Sequence, residues 1–362
     1  MSFLIVFILI YSSIQSFFYV FSSLTFSKSM RKNTIIFLTI MVFLPFIYNL
    51  ALTQKYYTIA NISGFIGFSW MGFSFLFLTI GIIPFIISKI YKKTAKKLFY
   101  ITLLICITLV FIGFFKACNI KLREITIESE KLPKDFSIKI AHITDTHFDY
   151  IKPYDISDNI IKILCNNKID IILLTGDIID GIAKNEIDIS KKLNKLDYKY
   201  KLAVTGNHEF YHDLENSLEF IKKSGFKTLH GNTEYIDKYI TISGVDDETL
   251  NRKKDKYSII KQEKLIIDRI TNETFNILMK HQPFLSEITD KKIDLQLSGH
   301  THNGQIFPFN FATKLVYKYT NGMYFTPENN RIFVSSGTGF WGPPFRVFTE
   351  SQIIIFTIKS SE

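Results

Sequence analysis

Apolar positions fall into two regimes along this chain. As far as residue 115 they form long unbroken runs; from residue 136 they form short runs that alternate with amphipathic stretches. Four runs, Phe3–Phe21, Thr34–Leu52, Ile62–Ile87 and Leu98–Phe115, carry no charge. Each has the ~18–20 residues that take an α-helix across the hydrocarbon of a bilayer. Lipid offers a spanning backbone no outside partner, so each run is expected to be helical. Ser12, Ser13, Gln15 and Ser16 dilute the first run, but it lacks the basic stretch and Ala-x-Ala site of a cleaved leader, so a retained helix is expected.

After Phe136 the pattern predicts a strand at Ser137–Ile143 and an amphipathic helix at Ile156–Asn166, with Ile156, Ile160, Ile163 and Leu164 on one face. A buried strand at Ile169–Thr175, a helix at Ile187–Leu196, a strand at Tyr198–Thr205 and a helix at Leu214–Lys223 follow. This β-α-β-α-β opening argues an α/β domain on a largely parallel sheet. Shorter runs come later, at Tyr239–Ser243, Phe275–Met279, Leu295–Ser298, Arg331–Ser335 and Ile353–Ile358, and predict a second sheet packed on the first. The expectation is an α/β fold of two packed β-sheets flanked by helices in residues 120–362, preceded by an all-α region of four transmembrane helices in residues 1–119.

Charge sharpens that division. The chain carries a net +10, yet residues 1–119 hold ten basic residues and no acidic one, and the remainder is balanced. The excess therefore lies between apolar runs, as membrane topology demands, and gives the folded domain no basic face for nucleic acid. Lys28, Arg31 and Lys32 follow the first run, Lys89, Lys92, Lys93, Lys96 and Lys97 the third, and only Lys55 the second. Basic loops stay in the cytoplasm, so the domain after the fourth run is expected outside. Residues 116–135 carry five basic residues among four acids and pull the other way; the alternation of three loops outweighs them. Cys106, Cys118 and Cys165 have no metal-ligand spacing and read as unpaired apolar residues. The wealth of Phe, Ile, Lys and Asn points to an AT-rich bacterial genome.

The chemistry sits at strand ends. Thr144-Asp145-Thr146-His147 follows the first strand, Gly176-Asp177 the second, Gly206-Asn207-His208-Glu209 the third, His281 the Phe275–Met279 run, and Gly299-His300-Thr301-His302 the Leu295–Ser298 run. Sites in open α/β sheets form outside the carboxyl ends of strands, so these residues can converge. Imidazole mixed with carboxylate suits Mn, Fe or Zn ions. Two cations roughly 3.5–4 Å apart clamp a phosphoryl group and lower the pKa of a bridging water.

Together, Asp145-x-His147, Gly176-Asp177, Gly206-Asn207-His208-Glu209, His281 and Gly299-His300-Thr301-His302 resemble the calcineurin-like metallophosphoesterases over residues 136–358. The continuation His302-Asn303-Gly304-Gln305-Ile306-Phe307-Pro308, and the ending Ser335-Ser336-Gly337-Thr338-Gly339 with Trp341-Gly342-Pro343-Pro344-Phe345-Arg346, resemble the bacterial membrane-associated branch; Asn303 departs from the glycine common there. The resemblance implies an α/β/β/α sandwich that hydrolyses a phosphate ester. Asp145, His147 and His302 would bind one divalent ion (Mn2+ favoured, Fe2+ or Zn2+ the alternatives), Asn207, His281 and His300 a second, and Asp177 would bridge them. His208 would protonate the leaving oxygen.

Blander readings hold elsewhere. His142, His212 and His230 are expected to be structural or surface residues, Asp180 and Glu209 local partners, Phe210 and Tyr211 wall residues, and Arg252-Lys253-Lys254 a solvated face. Arg346 is a weaker candidate for holding a phosphate oxygen. A tethered enzyme works near the bilayer, so a lipid-linked phosphate is the expected substrate class. The competing reading, a binding or regulatory module on the same scaffold, predicts lost ligands, and this chain keeps all seven with His208. The spans hold no Asp, Glu, Lys, Arg or His, which favours an anchor over a transport path.

Overall fold

The computed structural model describes residues 2–149, 156–181, 185–249, 258–326, 328 and 330–361. The basic run at 252–254 lies outside them. Each predicted apolar run lies within one long helix: α1 (Ser2–Ser23), α2 (Lys28–Thr53), α3 (Tyr57–Ile90) and α4 (Ala95–Cys118). All four are long and apolar enough to cross a membrane. Helix α2 starts before its charge-free run because the Ser27 side chain accepts from Met30 N–H and caps it. Helix α3, at 34 residues, is longer than a bilayer needs.

Among the described residues, twelve strands and the shorter helices follow. One sheet contains β1 (Lys121–Ser129), β2 (Ser137–Ile143), β3 (Ile171–Thr175), β4 (Tyr200–Val204), β5 (Lys227–Thr228) and β12 (Gln352–Ser360), in the order β1-β12-β2-β3-β4-β5. Only the β12–β2 pair is antiparallel. The second sheet contains β6 (Asn232–Tyr235), β7 (Ile240–Gly244), β8 (Phe275–Met279), β9 (Leu295–Ser298), β10 (Gly322–Phe325) and β11 (Arg331–Val334), in the order β10-β11-β9-β8-β7-β6. Its outer pairs are antiparallel and its inner pairs parallel.

The layers follow from which strand faces are apolar. Ile138, Ile140, Ile171, Leu173, Leu202 and Val204 of the first sheet meet Ile240, Ile242, Ile277, Met279, Leu295 and Leu297 of the second. The alternate residues Ala141, Ile143, Ile172, Leu174 and Ala203 pack against α5 (Ser157–Cys165), α6 (Glu186–Asn194) and α8 (Leu214–Lys223). Helix Ser258–Ile267 covers the outer face of the second sheet through Ile266 against Val245 and Leu278. Both sheets are thus buried on two faces, which is why their central strands read as continuous apolar runs.

The membrane helices and the α/β body are in direct contact. Only Asn119 and Ile120 separate α4 from β1. A loop of the body reaches into the bundle, where Ile306, Phe345 and Val347 share one apolar cluster with Phe73, Leu76 and Cys106. Two glycines make room for it. A Cβ on Gly72 of α3 would stand 2.6 Å from Phe345 Cζ, and one on Gly113 of α4 would stand 2.6 Å from the Arg346 carbonyl. Arg346 N–H donates to the Gly113 carbonyl at 3.0 Å. Higher up, the Tyr48 hydroxyl of α2 donates to Asp149 Oδ1 at 3.2 Å. Gly72→Val should overpack this seam at a cost of ~1–3 kcal/mol. The full chain in detergent should then unfold at a lower temperature by scanning fluorimetry; an unchanged midpoint would mean the body does not rest on α3.

Candidate metal centre

Five strands from both sheets deliver the site from their carboxyl ends. Asp145 and His147 follow β2, Asp177 follows β3, and Asn207 and His208 open α7 (Asn207–Tyr211) just after β4. His281 follows β8, and His300 and His302 follow β9. All eight residues come to one place at the mouth of the inter-sheet core. Asp145, His147 and His302 form one cluster able to hold a cation, and Asp177, His281 and His300 a second; His147, Asp177 and His208 join the two. The backbone is strained there: Asp145, His147, Asp177, His300 and His302 all have positive φ, between 44° and 70°. For such side chains this costs of order 1–3 kcal/mol each and persists only where the surroundings dictate it.

The inward nitrogens of four rings converge in two pairs. His147 Nε2 stands 3.0 Å from His302 Nε2, and His281 Nε2 stands 3.3 Å from His300 Nδ1. The outer nitrogens of three rings are occupied. His147 Nδ1–H donates to Asp180 Oδ1 at 2.8 Å and His281 Nδ1–H to the Thr175 carbonyl at 2.7 Å. His300 Nε2 lies 2.6 Å from the Tyr317 hydroxyl. This pattern leaves the inner lone pairs free, as metal-binding imidazoles require. His302 is the exception: its Nδ1 lies 3.2 Å from Arg346 Nη2, a donor. Asn207 Oδ1 is buried without a hydrogen-bond partner, an orphan acceptor of the kind a cation satisfies. The donor set and its geometry therefore fit divalent metal ions.

Charge points the same way. Burial opposes ionisation of Asp177, yet the His281 and His208 rings hold its carboxyl well below the usual range. Burial also disfavours a charged His208, but Asp180 and Asp177 raise it to about 10. His281 is likewise raised against its burial, by Asp177 and then Asp145. His302 differs again: burial, His147 and Arg346 keep its ring uncharged.

Residues 138–304 match the calcineurin-like phosphoesterase family. An uncharacterized metallophosphoesterase of Aquifex aeolicus is 34% identical over 242 residues, which span 66% of this chain and 92% of that relative. The chain belongs to the calcineurin-like metallophosphoesterases. A second such relative, from Campylobacter jejuni, is 31% identical over 76% of this chain and 73% of its own length. A transmembrane protein with metallophosphoesterase domain from Danio rerio is 26% identical over 67% of this chain and 58% of its own. This metallophosphoesterase is a phosphoric ester hydrolase of a metal-dependent family. With four helices long and apolar enough to span a bilayer, it is also a membrane protein.

Several residues of this metallophosphoesterase take places that the sequence did not disclose. Arg346 is fully buried, donates to the Gly339 carbonyl at 2.6 Å and backs His302, so it does not face the cleft as a phosphate holder. Asp180 touches two rings, standing 2.8 Å from His147 Nδ1 and 2.8 Å from His208 Nδ1. Glu209 accepts from the backbone N–H groups of Asp177 and Ile178 and fixes that turn. Tyr317 reaches His300 from outside every motif, and no local signal marks it. His142 is structural: its Nε2 meets Thr175 Oγ1 at 2.7 Å, and burial pushes its pKa down to about 3. His230 pairs with Asp246 at 2.7 Å. His212 joins Asp180 and His208 in a further cluster at the rim. Gly299 leaves room for the Asp145 carboxylate, which a Cβ would overlap. Gly299→Ala should displace Asp145 and His300 together, and the purified protein should retain less metal by mass spectrometry than wild type while keeping its circular dichroism.

Proposed function

We propose that residues 1–119 anchor the enzyme and that residues 120–362 hydrolyse a phosphate ester at a centre of two divalent cations. The observation that carries this reading is the pair of facing imidazole contacts on either side of Asp177, three of whose four outer nitrogens are held from behind. Asp145, His147 and His302 hold one ion, Asn207, His281 and His300 the other, and Asp177 reaches both. Mixed imidazole and carboxylate ligands favour manganese, with iron or zinc as alternatives. Such ions would neutralise phosphoryl charge and lower the pKa of the attacking water.

The chain's own groups do the rest. His208 Nε2 stands 4.0 Å from Asp177 Oδ2, at the edge of the cluster, with Asp180 Oδ1 2.8 Å from Nδ1. In that orientation Nε2–H can pass its proton to the leaving oxygen. Glu209 keeps the Asp177 turn rigid, and the strained φ values fix ligand directions before substrate arrives. The lysines at 89–97 lie on the cytoplasmic side in this reading, and the catalytic domain lies on the outer face. An enzyme tethered there acts on a lipid-linked phosphate: a phospholipid, an isoprenoid carrier or a nucleotide-diphosphate lipid.

The decisive assay is hydrolysis of bis-p-nitrophenyl phosphate and p-nitrophenyl phosphate by the full chain supplied with manganese. His208→Ala should lose about 10²–10⁴ in turnover and keep its metal content; full activity would remove His208 from the mechanism. Asp180→Asn should weaken metal affinity or activity by about 10–100-fold, as loss of a partner behind a ligand does, read by isothermal titration with manganese. A fluorescent protein that folds only in the cytoplasm, fused after Glu362, should stay dark; bright cells would put the domain inside.

A further inference from the structure

The segment after the His302 turn is not needed by the chemistry above. Phe309–Val316 forms a helix in which no residue is buried. Phe309, Phe311, Leu315 and Val316 are apolar and exposed, Leu315 to 89%. The same segment is tied to the membrane region, because the Phe309 ring stacks on Phe75 of α3 with centroids 4.2 Å apart. Phe307 links it to Phe348, another exposed ring, with centroids 5.6 Å apart.

The depth of this helix follows from counting along the spans. Lys89, Lys92, Lys93, Lys96 and Lys97 mark one surface of the bilayer, at the turn between α3 and α4. Phe75 precedes Ile90 by 15 residues, so it lies about 22 Å along α3 from that surface at 1.5 Å per residue. Tilt shortens this height and never lengthens it. The hydrocarbon is about 30 Å thick, so Phe309, resting on Phe75, sits below its far boundary. Gly72 on α3 and Gly113 on α4 each lie 18 residues from their cytoplasmic helix ends, about 27 Å. Two helices running in opposite directions thus put the docking loop at one level, just inside the far boundary. The exposed side chains of Phe309–Val316 meet lipid at that depth.

We propose that Phe309–Val316 is an interfacial helix bedded in the leaflet on the domain's side, so that the metal centre opens at the lipid–water boundary and takes the phosphate of an amphiphile from that leaflet. The second half rests on the phosphoesterase reading; the bedding does not. The geometry joins the two, since Tyr317, next after the helix, has its hydroxyl 2.6 Å from His300 Nε2. At the other side of the mouth Trp341 meets the His208 ring edge-on at 5.7 Å, and Trp341 and Tyr211 are exposed aromatics of the kind that settle at headgroup level. Lys314 and Lys318, exposed on the same segment, suit anionic headgroups.

The test uses the full chain in nanodiscs of phosphatidylethanolamine and phosphatidylglycerol, with Cys106, Cys118 and Cys165 replaced by alanine. An environment-sensitive dye on Leu315→Cys should emit in the blue and be quenched by spin-labelled lipid as strongly as one on the exposed α4 position Phe111→Cys. Water-like emission at 315 beside quenching at 111 would overturn the bedding. For the substrate half, Phe311→Asp with Leu315→Asp should lower kcat/KM for phosphatidic acid in vesicles of the same lipids by on the order of tenfold, by lifting this helix out of the leaflet, and leave p-nitrophenyl phosphate turnover unchanged. Equal loss on both esters, or on neither, would overturn lateral access. Quenching at 315 in a wild type that cleaves neither these monoesters nor bis-p-nitrophenyl phosphate would uphold the bedding and refute the phosphoesterase reading instead.

Discussion

Imidazoles turned toward one another and toward buried carboxylates are the constraint around which this molecule is built. His147 and His302 face each other at 3.0 Å, His281 and His300 at 3.3 Å, and the buried carboxylates of Asp145 and Asp177 stand among them. Buried together, these groups hold only by sharing protons between rings and carboxylates or by gathering around a cation. The fold assembles them from five strand ends in two sheets, each strand locked by main-chain ladders, and holds Asp145, His147, Asp177, His300 and His302 at positive φ. Asp177 and Asp180 hold protons on His208 and His281, and the same convergence of rings and carboxylates suits a divalent cation.

How much of this could be read along the chain depended on locality. The central strands were legible because burial on both faces makes their apolar runs continuous, as in Ile171–Thr175 and Phe275–Met279. The candidate ligands were legible because each sits two to four residues after such a run. Edge strands were not: β1 is mostly exposed and carries Lys121, Arg123, Glu124 and Glu128, charges that keep an edge from pairing with strangers but erase the alternation that would reveal it. The same holds for β6, β10 and the Phe309–Val316 helix, which present few buried positions.

The harder losses were contacts with no local trace. Arg346 looked like a phosphate holder because its chemistry fits one, but Gly113 and Phe345 draw its backbone against α4 and turn its side chain toward Gly339 and His302. Tyr317 finds His300 only because the preceding helix carries it there. In both cases position was set by how the α/β body meets the bundle, and that seam turns on two glycines, Gly72 and Gly113, which in isolation read as ordinary interruptions of a membrane span.

The strand order β1-β12-β2 has a consequence for biogenesis. β1 emerges directly after α4, yet its neighbour in the sheet is β12, synthesised after every other strand among the described residues, which also supplies the antiparallel partner of β2. The nascent body must therefore wait with a gap beside its catalytic strands until the tail arrives to fill it. Chains cut short before β12 leave two edges open, and quality-control proteases would meet them as unfinished sheets.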